Sequence, residues 1–455
     1  MAFLLCFVHG KDVGILYEVW HTRAAQAMKE VGSRGGELLT VEAVVRSNGT
    51  KTLDDVYAKY NLQADIWNVQ PELGFYCLYR KRPGDPKPPV PDCDGITHTA
   101  QKHASMLVSA GVDYVAVDVT NWPSMNTETD VAVVRPTEVL FEEWAALRKA
   151  GTKTPLITVW PCSPSGSNTW KYLLDTLYNN PDYDHLIFKI NGKKVVFIPD
   201  NPTCYNPDVE RLIQSNGGRN DITTIKIWAL FGINSYNNGS WAFFSPCTSS
   251  QNRNDYTTSI VGESSCQQHV TLDANSQVVS VSASSSYMVS QGALPFASAG
   301  HLRGLTLQRL FAKILSLSPP HVFLSSFNEH IGGRQNSISK AKIAFNMGLP
   351  NDSQRNSIWV DTYAAEFSRD MEPTVEGGGR VLEVATSCIS LYKTGSNCQQ
   401  QPQEACCTVA DKEIFVNIYS LVAPGQTDHI ISNDVQEVEQ LRKDGWEEVC
   451  SPIEG

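Results

Sequence analysis

The segment Gln101–Val119, QKHASMLVSAGVDYVAVDV, decides the fold class because it joins a helical pattern to a buried strand. Its first half repeats apolar residues with a helical period, and a glycine then leads into an almost unbroken apolar run. Near-continuous apolar strands are typical of parallel sheets that are covered on both faces. The segment therefore predicts a helix followed by a parallel strand.

The same pattern recurs along most of the chain. Helical periods at Thr137–Ala150 and Leu305–Leu317 precede strand-like runs, and further helices are predicted at Gln101–Ala110, Trp170–Asn179 and Asn206–Ser215. The predicted strands are Val13–Trp20, Leu73–Leu78, Tyr114–Val119, Leu156–Trp160, Lys194–Pro199, Thr224–Phe231, Val278–Ala283 and His321–Phe327. Such alternation indicates an α/β protein with a (β/α)8 TIM barrel. A doubly wound open sheet is the alternative, but it usually has a glycine-rich phosphate turn after its first strand, where this chain has Trp20-His21-Thr22.

The rhythm of strands and helices ends near Ile343, so we place the predicted catalytic barrel at residues 10–345. Residues 346–410, which include a polar Gln- and Cys-rich stretch, are predicted to be an extension or linker that packs on the barrel. Residues 411–455 are predicted to form a small C-terminal module, which is too small to be stable without cysteines or the barrel.

The composition limits the classes of binding partner and the cellular compartment that we expect. A net charge of −11 argues against a nucleic-acid ligand, and no apolar run is long enough to span a bilayer. Several of the twelve cysteines lie in polar loops, so we expect disulfides such as Cys77–Cys93 and Cys247–Cys266 in a secreted protein. Reduced thiols in a cytosolic enzyme are the alternative. The apolar start, Met1–His9, fits either a truncated signal peptide or the beginning of the fold.

In a TIM barrel the chemistry lies at the carboxyl ends of the strands. Asp118 and Glu329 end two of the predicted strands, and we expect them to form a catalytic pair. Hydrolysis of a glycosidic bond needs one carboxylic acid to protonate the leaving oxygen and a carboxylate to attack or to activate water. Aromatic faces would hold the sugar. The predicted substrate-binding residues are Glu18, Trp20, His21, Asn121, Trp122, Trp160, Trp228, Asn328 and His330.

Each of these residues also has a structural interpretation. Carboxylates at strand ends often pair with an arginine or cap a helix. Tryptophans are usually part of the core, and histidines are more often hydrogen-bonded structural groups than catalysts. The residue types alone therefore leave the choice open.

The end of the last predicted strand, Ser325–His330 (SSFNEH), resembles the S-[FW]-N-E-W-x-E-G segment of glycoside hydrolase family 99 and its relatives, including family 71. Supporting likenesses are Gly111–Tyr114 (GVDY), Asn191–Phe197 (NGKKVVF) and Leu73–Tyr76 (LGFY), so that the resemblance covers most of residues 10–345. It implies a (β/α)8 barrel that hydrolyses an α-linked polysaccharide or large glycan, and an endo-acting enzyme that cleaves within the chain. It implies carboxylate chemistry without a metal or other cofactor.

One departure from the family pattern limits this implication. The second glutamate of the motif falls on Gly332, so we assign Glu329 as general acid or base with Asp118 as its partner. A catalytically inactive carbohydrate-binding barrel is the second interpretation. A metal-dependent barrel hydrolase is the third, and it would need His-x-His or clustered His and Asp at strand ends, which the sequence does not show.

Three further segments bear on the site or the setting. Glu366–Pro373 (EFSRDMEP) fits either a rim folded over the mouth of the barrel or a solvated charge cluster, and we favour the second. The loop Arg80–Arg82 would favour an anionic glycan if it faced the mouth, whereas a solvated loop is the commoner case. The tail from Ile418 to Trp446 resembles a short repeat appended to many secreted hydrolases, which implies an extracellular setting.

Overall fold

The computed structural model describes residues 10–33, 40, 42–43, 67–82, 91–120, 130–162, 169–199, 221–228, 241–242, 268–286, 301–331, 334–336, 357–359, 365–395, 419–422, 429–432, 440, 443 and 447–448. The chain forms two compact units, Met1–Cys407 and Thr408–Gly455. Within the described residues, no helix has both the length and the apolar character needed to cross a membrane.

The first unit alternates strands and helices. Its strands are β1 (Asp12–Glu18), β2 (Tyr114–Val119), β3 (Leu156–Pro161), β4 (Lys189–Ile190), β5 (Lys193–Pro199), β6 (Ile222–Trp228), β7 (Trp241–Ala242), β8 (Val270–Leu272), β9 (Val278–Ala283), β10 (His321–Leu324), β11 (Arg334–Asn336) and β12 (Ser357–Trp359). Its α-helices are α1 (Thr22–Ser33), α2 (Ile96–Ser109), α3 (Arg135–Lys149), α4 (Thr169–Leu173), α5 (Leu305–Leu317) and α6 (Arg380–Thr394). Short 3-10 and π-helical turns are Asp130–Val134, Leu174–Tyr178, Pro181–Tyr183, Leu302–Gly304 and Ala365–Phe367.

The strands close into a barrel from two sheets, ordered β3-β2-β1-β10-β9-β8 and β4-β5-β6-β7. Within these sheets only β4 and β8 pair antiparallel among the described strands. At one seam Ile157 of β3 bridges in parallel to Ile187, and Val195 of β5 donates to the carbonyl of Phe188 at 2.8 Å. At the other seam β7 lies beside β8 and β9. The predicted (β/α)8 barrel is confirmed.

Aromatic side chains fill the lower interior of the barrel. Tyr114 of β2 stacks on Phe188 with ring centroids 3.8 Å apart, and Phe197 of β5 contacts Trp241 and Phe323, each at 5.6 Å. Gly14 on β1 is required here, because a Cβ at this position would lie 2.1 Å from the Tyr114 ring. The barrel is therefore a packed core, as TIM barrels are, and substrate access is left to the ends of the strands.

The prediction of a strand at Leu73–Leu78 is wrong. β1 already pairs with β2 on one side and β10 on the other, so its two edges offer no place for another strand. The segment instead runs outside the sheets and is tied by the Cys77–Cys93 disulfide, with a Cα separation of 5.7 Å. That predicted disulfide is confirmed. Cys162 is also disulfide-bonded, whereas Cys247 and Cys266 lie outside the described residues.

The member of the barrel that the sequence analysis missed is β7, only two residues long. Four of the predicted helices fall on α2, α3, α5 and the turn from α4 to Tyr178, and the predicted helix Asn206–Ser215 lies outside the described residues. The seven other predicted strands are confirmed: β2 and β9 match at both ends, and the described ends of the rest differ by at most three residues, with 229–231 outside the described residues.

α6 packs against the outside of the barrel. It contacts α5, and a Cβ at Gly304, just before α5, would lie 2.6 Å from Val384 of α6. A Cβ at Gly111, just after α2, would lie 2.9 Å from Ile389 of α6. α6 thus lies between α5 and the end of α2, where the last helix of a (β/α)8 ring belongs. The boundaries at residues 345 and 410 stay a prediction.

The second unit contains a small antiparallel sheet. Its strands are β13 (Tyr419–Val422), β14 (His429–Ser432) and β15 (Glu447–Glu448), in the order β14-β13-β15.

Candidate active site

Two carboxylates and an indole stand side by side at the carboxyl ends of β1, β2 and β3. Glu18 is in register with Asp118, and Asp118 with Trp160. Leu16 and Ala116, two residues earlier, belong to the interior cluster. Because side chains alternate along a strand, Glu18 and Asp118 also face the interior. Their exposed fractions are 0% and 6%, so this row forms the floor of the mouth rather than its rim.

The loop that follows β10 is fixed to the end of β1. The amide of Phe327 donates to the carbonyl of Leu16 at 2.9 Å. Asn328 then continues the pairing with its side chain, since Oδ1 accepts from the amide of Glu18 at 2.9 Å and Nδ2 donates to the carbonyl of Glu18 at 3.1 Å. This arrangement carries Glu329 to the same end of the barrel as Glu18 and Asp118.

Glu329 is held at both its backbone and its carboxylate. Its amide donates to Asp370 Oδ1 at 2.5 Å, and Arg369 Nη2 forms an ion pair with Glu329 Oε2. Arg369 Nη1 also donates to the carbonyl of Ser325 at 3.4 Å. The two side chains are 12% and 4% exposed, so solvent screens the pair little. A buried guanidinium next to a carboxylate stabilises its charged form.

Both partners of Glu329 belong to residues 365–376, which we name the return segment. The amides of Met371 and Glu372 donate to the carbonyl of Phe327 at 3.1 and 2.9 Å, and Val375 donates to the carbonyl of Gln70 at 2.8 Å. The segment therefore folds back over the strand ends.

The prediction of a solvated charge cluster in this segment is wrong. Arg369, Asp370 and Glu372 are 4%, 4% and 3% exposed. Burial is tolerated because each charge has partners of opposite charge or hydrogen-bond donors on the barrel. The buried Met371 beside them adds apolar contact, with 2% exposed.

Glu372 is the centre of a buried hydrogen-bonded cluster. Its carboxylate accepts from Tyr76 Oη at 2.6 Å, His330 Nε2 at 2.8 Å and His103 Nε2 at 3.0 Å. Burial alone would raise the pKa of the Glu372 carboxyl, but His103 and His330 outweigh burial and hold this pKa well below its usual range. Among the described residues, no group of three or more His, Cys, Asp and Glu side chains is arranged to hold a metal ion.

The pKa values of His21 and His330, both close to Asn328, are shifted in opposite directions. His21 Nε2 donates to the carbonyl of Asn328 at 2.9 Å, and burial followed by the neighbouring His330 lowers the pKa of His21 to about 3. His21 is therefore neutral at pH 7. Burial also opposes the charged form of His330, but Asp370 and Glu372 outweigh it and raise the pKa of His330. His330 Nδ1 lies 3.4 Å from Asp370 Oδ2.

The structure places the predicted site residues as follows. Glu18, Asp118, Trp160 and Glu329 are brought to one end of the barrel. His21, Asn328 and His330 reach the same region but are buried and hydrogen-bonded within the protein, and their contact with substrate stays a prediction. Trp20 is 7% exposed just after β1, and Trp228 is the last residue of β6. Asn121 and Trp122 lie outside the described residues.

Sequence reasoning assigned no role in the site to the residues around Glu329 and His330. Arg369 and Asp370 contact Glu329, whereas Tyr76 and His103 bind Glu372, which in turn binds His330. One signal was present for His103, which lies on the apolar face of α2 with Ala100, Ala104 and Leu107.

The loop Arg80–Arg82 gives no support to an anionic substrate. Arg80 pairs with Glu143 at 2.5 Å and Arg82 with Glu138 at 2.6 Å, both on α3. The charges of the two arginines are therefore used to fasten the loop to a helix.

The fold and the site define a TIM barrel with carboxylates gathered at its mouth. No family model matches the chain, and no curated protein matches it in sequence. Among solved structures, it is similar to a family 99 endo-α-mannosidase from Bacteroides thetaiotaomicron, with a TM-score of 0.43, 15% identity, and coverage of 84% of this chain and 98% of that chain. A family 99 endo-α-mannosidase structure in complex with bis-tris-propane gives a TM-score of 0.39, 14% identity, and coverage of 72% and 90%.

Proposed function

We propose that this protein is a glycoside hydrolase that cleaves a polysaccharide or large glycan with a pair of carboxylates. The observation that carries the proposal is the row of Glu18, Asp118 and Trp160 at the mouth, beside the loop that bears Glu329. In the strand order β2-β1-β10, β2 ends next to Asp118 and β10 leads into the loop of Glu329, and these two strands lie two steps apart, about 10 Å between backbones. The proposal requires the carboxyl groups of Asp118 and Glu329 to lie within the range of glycosidase pairs, about 5 to 9.5 Å.

The ion pair with Arg369 favours distinct roles for the two carboxylates. Glu329, stabilised as a carboxylate, acts as base or nucleophile, and Asp118 acts as the acid. The proton of Asp118 goes to the glycosidic oxygen as the bond from C1 to that oxygen breaks. Glu329 either takes a proton from the water that attacks C1, or bonds to C1 until water replaces it.

The remaining predicted residues bind the sugar, and Trp160, 2% exposed in the interior cluster, forms the floor beneath it. The resemblance of Ser325–His330 to family 99 favours an α-linked substrate that is cleaved internally. The Cys77–Cys93 disulfide favours a protein that works outside the cell, because such bonds persist in oxidising compartments.

The experiment distinguishes the roles of Glu329 and Asp118 by using substrates with different leaving groups. The wild-type protein is first incubated with a panel of α-linked polysaccharides, and product sizes are measured. Glu329→Gln should abolish hydrolysis of every substrate while glycan binding stays. Asp118→Asn should lose polysaccharide hydrolysis but keep activity on aryl α-glycosides with activated leaving groups, which need no proton. Retained turnover by Glu329→Gln would contradict the assignment of Glu329. Glu383→Gln, on the exposed side of α6, is the control and should keep wild-type turnover.

A catalytically inactive carbohydrate-binding barrel is the second candidate. It is favoured by Gly332, which stands where the family motif has its second glutamate, and by the burial of Glu329 in its ion pair. Glycan binding measured by calorimetry, without product over prolonged incubation of wild type, would establish it.

A further inference from the structure

We propose that Arg369 is a positioning residue for Glu329, supplied by the return segment. The inference rests on the proposed function and deepens it, because it names what orients the carboxylate. Arg369 does not need to touch the sugar in order to act. It acts through Glu329.

The contacts of Arg369 fit this role. Its guanidinium spans two acceptors on the same loop, the Glu329 carboxylate through Nη2 and the carbonyl of Ser325 through Nη1. The planar fork of an arginine fixes direction as well as charge, which a lysine does not do. The carboxylate is therefore restrained relative to the end of β10.

The backbone of Arg369 is also fixed to the barrel. The hydroxyl of Ser285, just after β9, donates to the carbonyl of Arg369 at 2.7 Å. The next residue, Asp370, accepts from the amide of Glu329 and from the Ser326 hydroxyl, both at 2.5 Å, and from the Ser368 hydroxyl at 2.7 Å. Consecutive residues of the return segment thus hold the carboxylate and the backbone of one glutamate.

Loss of the guanidinium should leave Glu329 in place along the chain but remove the ion pair that orients its carboxylate. Misplacement of a reacting group by about 1 Å can cost about 100-fold in rate. Arg369→Ala should therefore lower kcat about 100-fold with little change in KM. Added guanidinium ion should enter the space left by the side chain and restore part of the rate. Arg369→Lys, which keeps the charge without the fork, should fall between Arg369→Ala and wild type.

Two comparisons distinguish positioning from a general loss of structure. In the Asp118→Asn background, which keeps the turnover of activated aryl glycosides, Arg369→Ala should still lower that turnover about 100-fold, because it acts on Glu329 and not on the acid. Arg135→Ala removes another buried, ion-paired arginine, which binds Glu138 and Glu142 on α3. It should lower stability, leave the pH profile of kcat unchanged and show no rescue by guanidinium. An unchanged rate on Arg369→Ala substitution, in wild type or in the Asp118→Asn background, would overturn the inference.

A readout without turnover separates this inference from the proposed function. If the wild-type protein hydrolyses no glycan, the proposed function fails. Labelling of Glu329 by a water-soluble carbodiimide, followed by mass spectrometry, then tests the positioning contact. Slow labelling in wild type, at least about tenfold faster labelling in Arg369→Ala, and slowing by guanidinium support it. Equal labelling in the two proteins would overturn it.

Discussion

At the scale of single residues, the region around Glu329 depends on charges that are buried and compensated. Glu372 accepts hydrogen bonds from Tyr76, His103 and His330, which come from three separate stretches of the chain. Removal of one member of a buried ionic cluster leaves the others without compensation, and this costs far more than the loss of an exposed pair.

Glu372→Gln tests this dependence. The amide cannot accept from three donors, and its NH2 group faces histidine N–H groups, so we expect the free energy of unfolding to fall by about 3 kcal/mol. Urea denaturation followed by near-UV circular dichroism measures the change. Glu383→Gln, which removes the exposed partner of Arg380, should change it by less than about 0.5 kcal/mol. Similar losses in the two variants would contradict the role of the cluster.

At the scale of elements, the sequence predicts strands well wherever the apolar run is continuous and the strand is covered on both faces. β1, β2, β3, β5 and β10 follow this rule, whereas β6 (ITTIKIW) and β9 (VVSVSA) contain polar residues and are recognised by their β-branched residues. It fails for β7, because two residues are too few to show a period. It fails again for Leu73–Leu78, in which Tyr76, Cys77 and Leu78 are buried although β1 has no free edge to pair with.

The candidate site was predictable to a lesser extent. The ends of β2 and β10 gave Asp118 and Glu329 directly, since position on a barrel strand is readable from the run that precedes it. The residues that support Glu329 could not be predicted, because Arg369 and Asp370 follow it by 40 and 41 residues along the chain. A charged stretch has no pattern that tells a folded-back segment from a solvated one.

The packing of α6 on the barrel gives a prediction at the same scale. Gly304→Ala places a Cβ against Val384 of α6 and puts alanine at a φ of 95°. We expect a loss of about 2 to 4 kcal/mol in the free energy of unfolding, from overpacking and from backbone strain. Gly151→Ala is the matched control, since its φ is 86° but no atom lies within 4 Å of the added Cβ. The difference between the two losses, measured by urea denaturation, isolates the contact with α6, and equal losses would contradict it.

At the scale of the whole molecule, the buried histidines make stability depend on pH. Burial lowers the pKa of His21 to about 3 and that of His301 to about 4, whereas the unfolded chain has the ordinary value of 6.5. Between pH 6.5 and 4 the unfolded state therefore binds more protons than the folded state. The free energy of unfolding falls as the pH falls. The raised pKa of His330 acts in the other direction, since its contribution is complete below pH 6.5 and is lost as the pH rises through its folded value. Stability should be greatest near neutral pH and decline on the acidic side.

The variant His301→Gln tests the contribution of His301 to this pH dependence. Its Nε2 donates to the carbonyl of Ser368 in the native protein at 2.5 Å, and a glutamine amide keeps a donor there while it removes the titration. The free energy of unfolding, measured in urea at pH 4.5, 5.5 and 6.5, should fall less steeply in the variant, by up to about 1.4 kcal/mol per pH unit. His98→Gln, at an exposed position of α2, should keep the wild-type slope. If His301→Gln and wild type show parallel pH dependence, His301 is not the group whose protonation destabilises the barrel in acid.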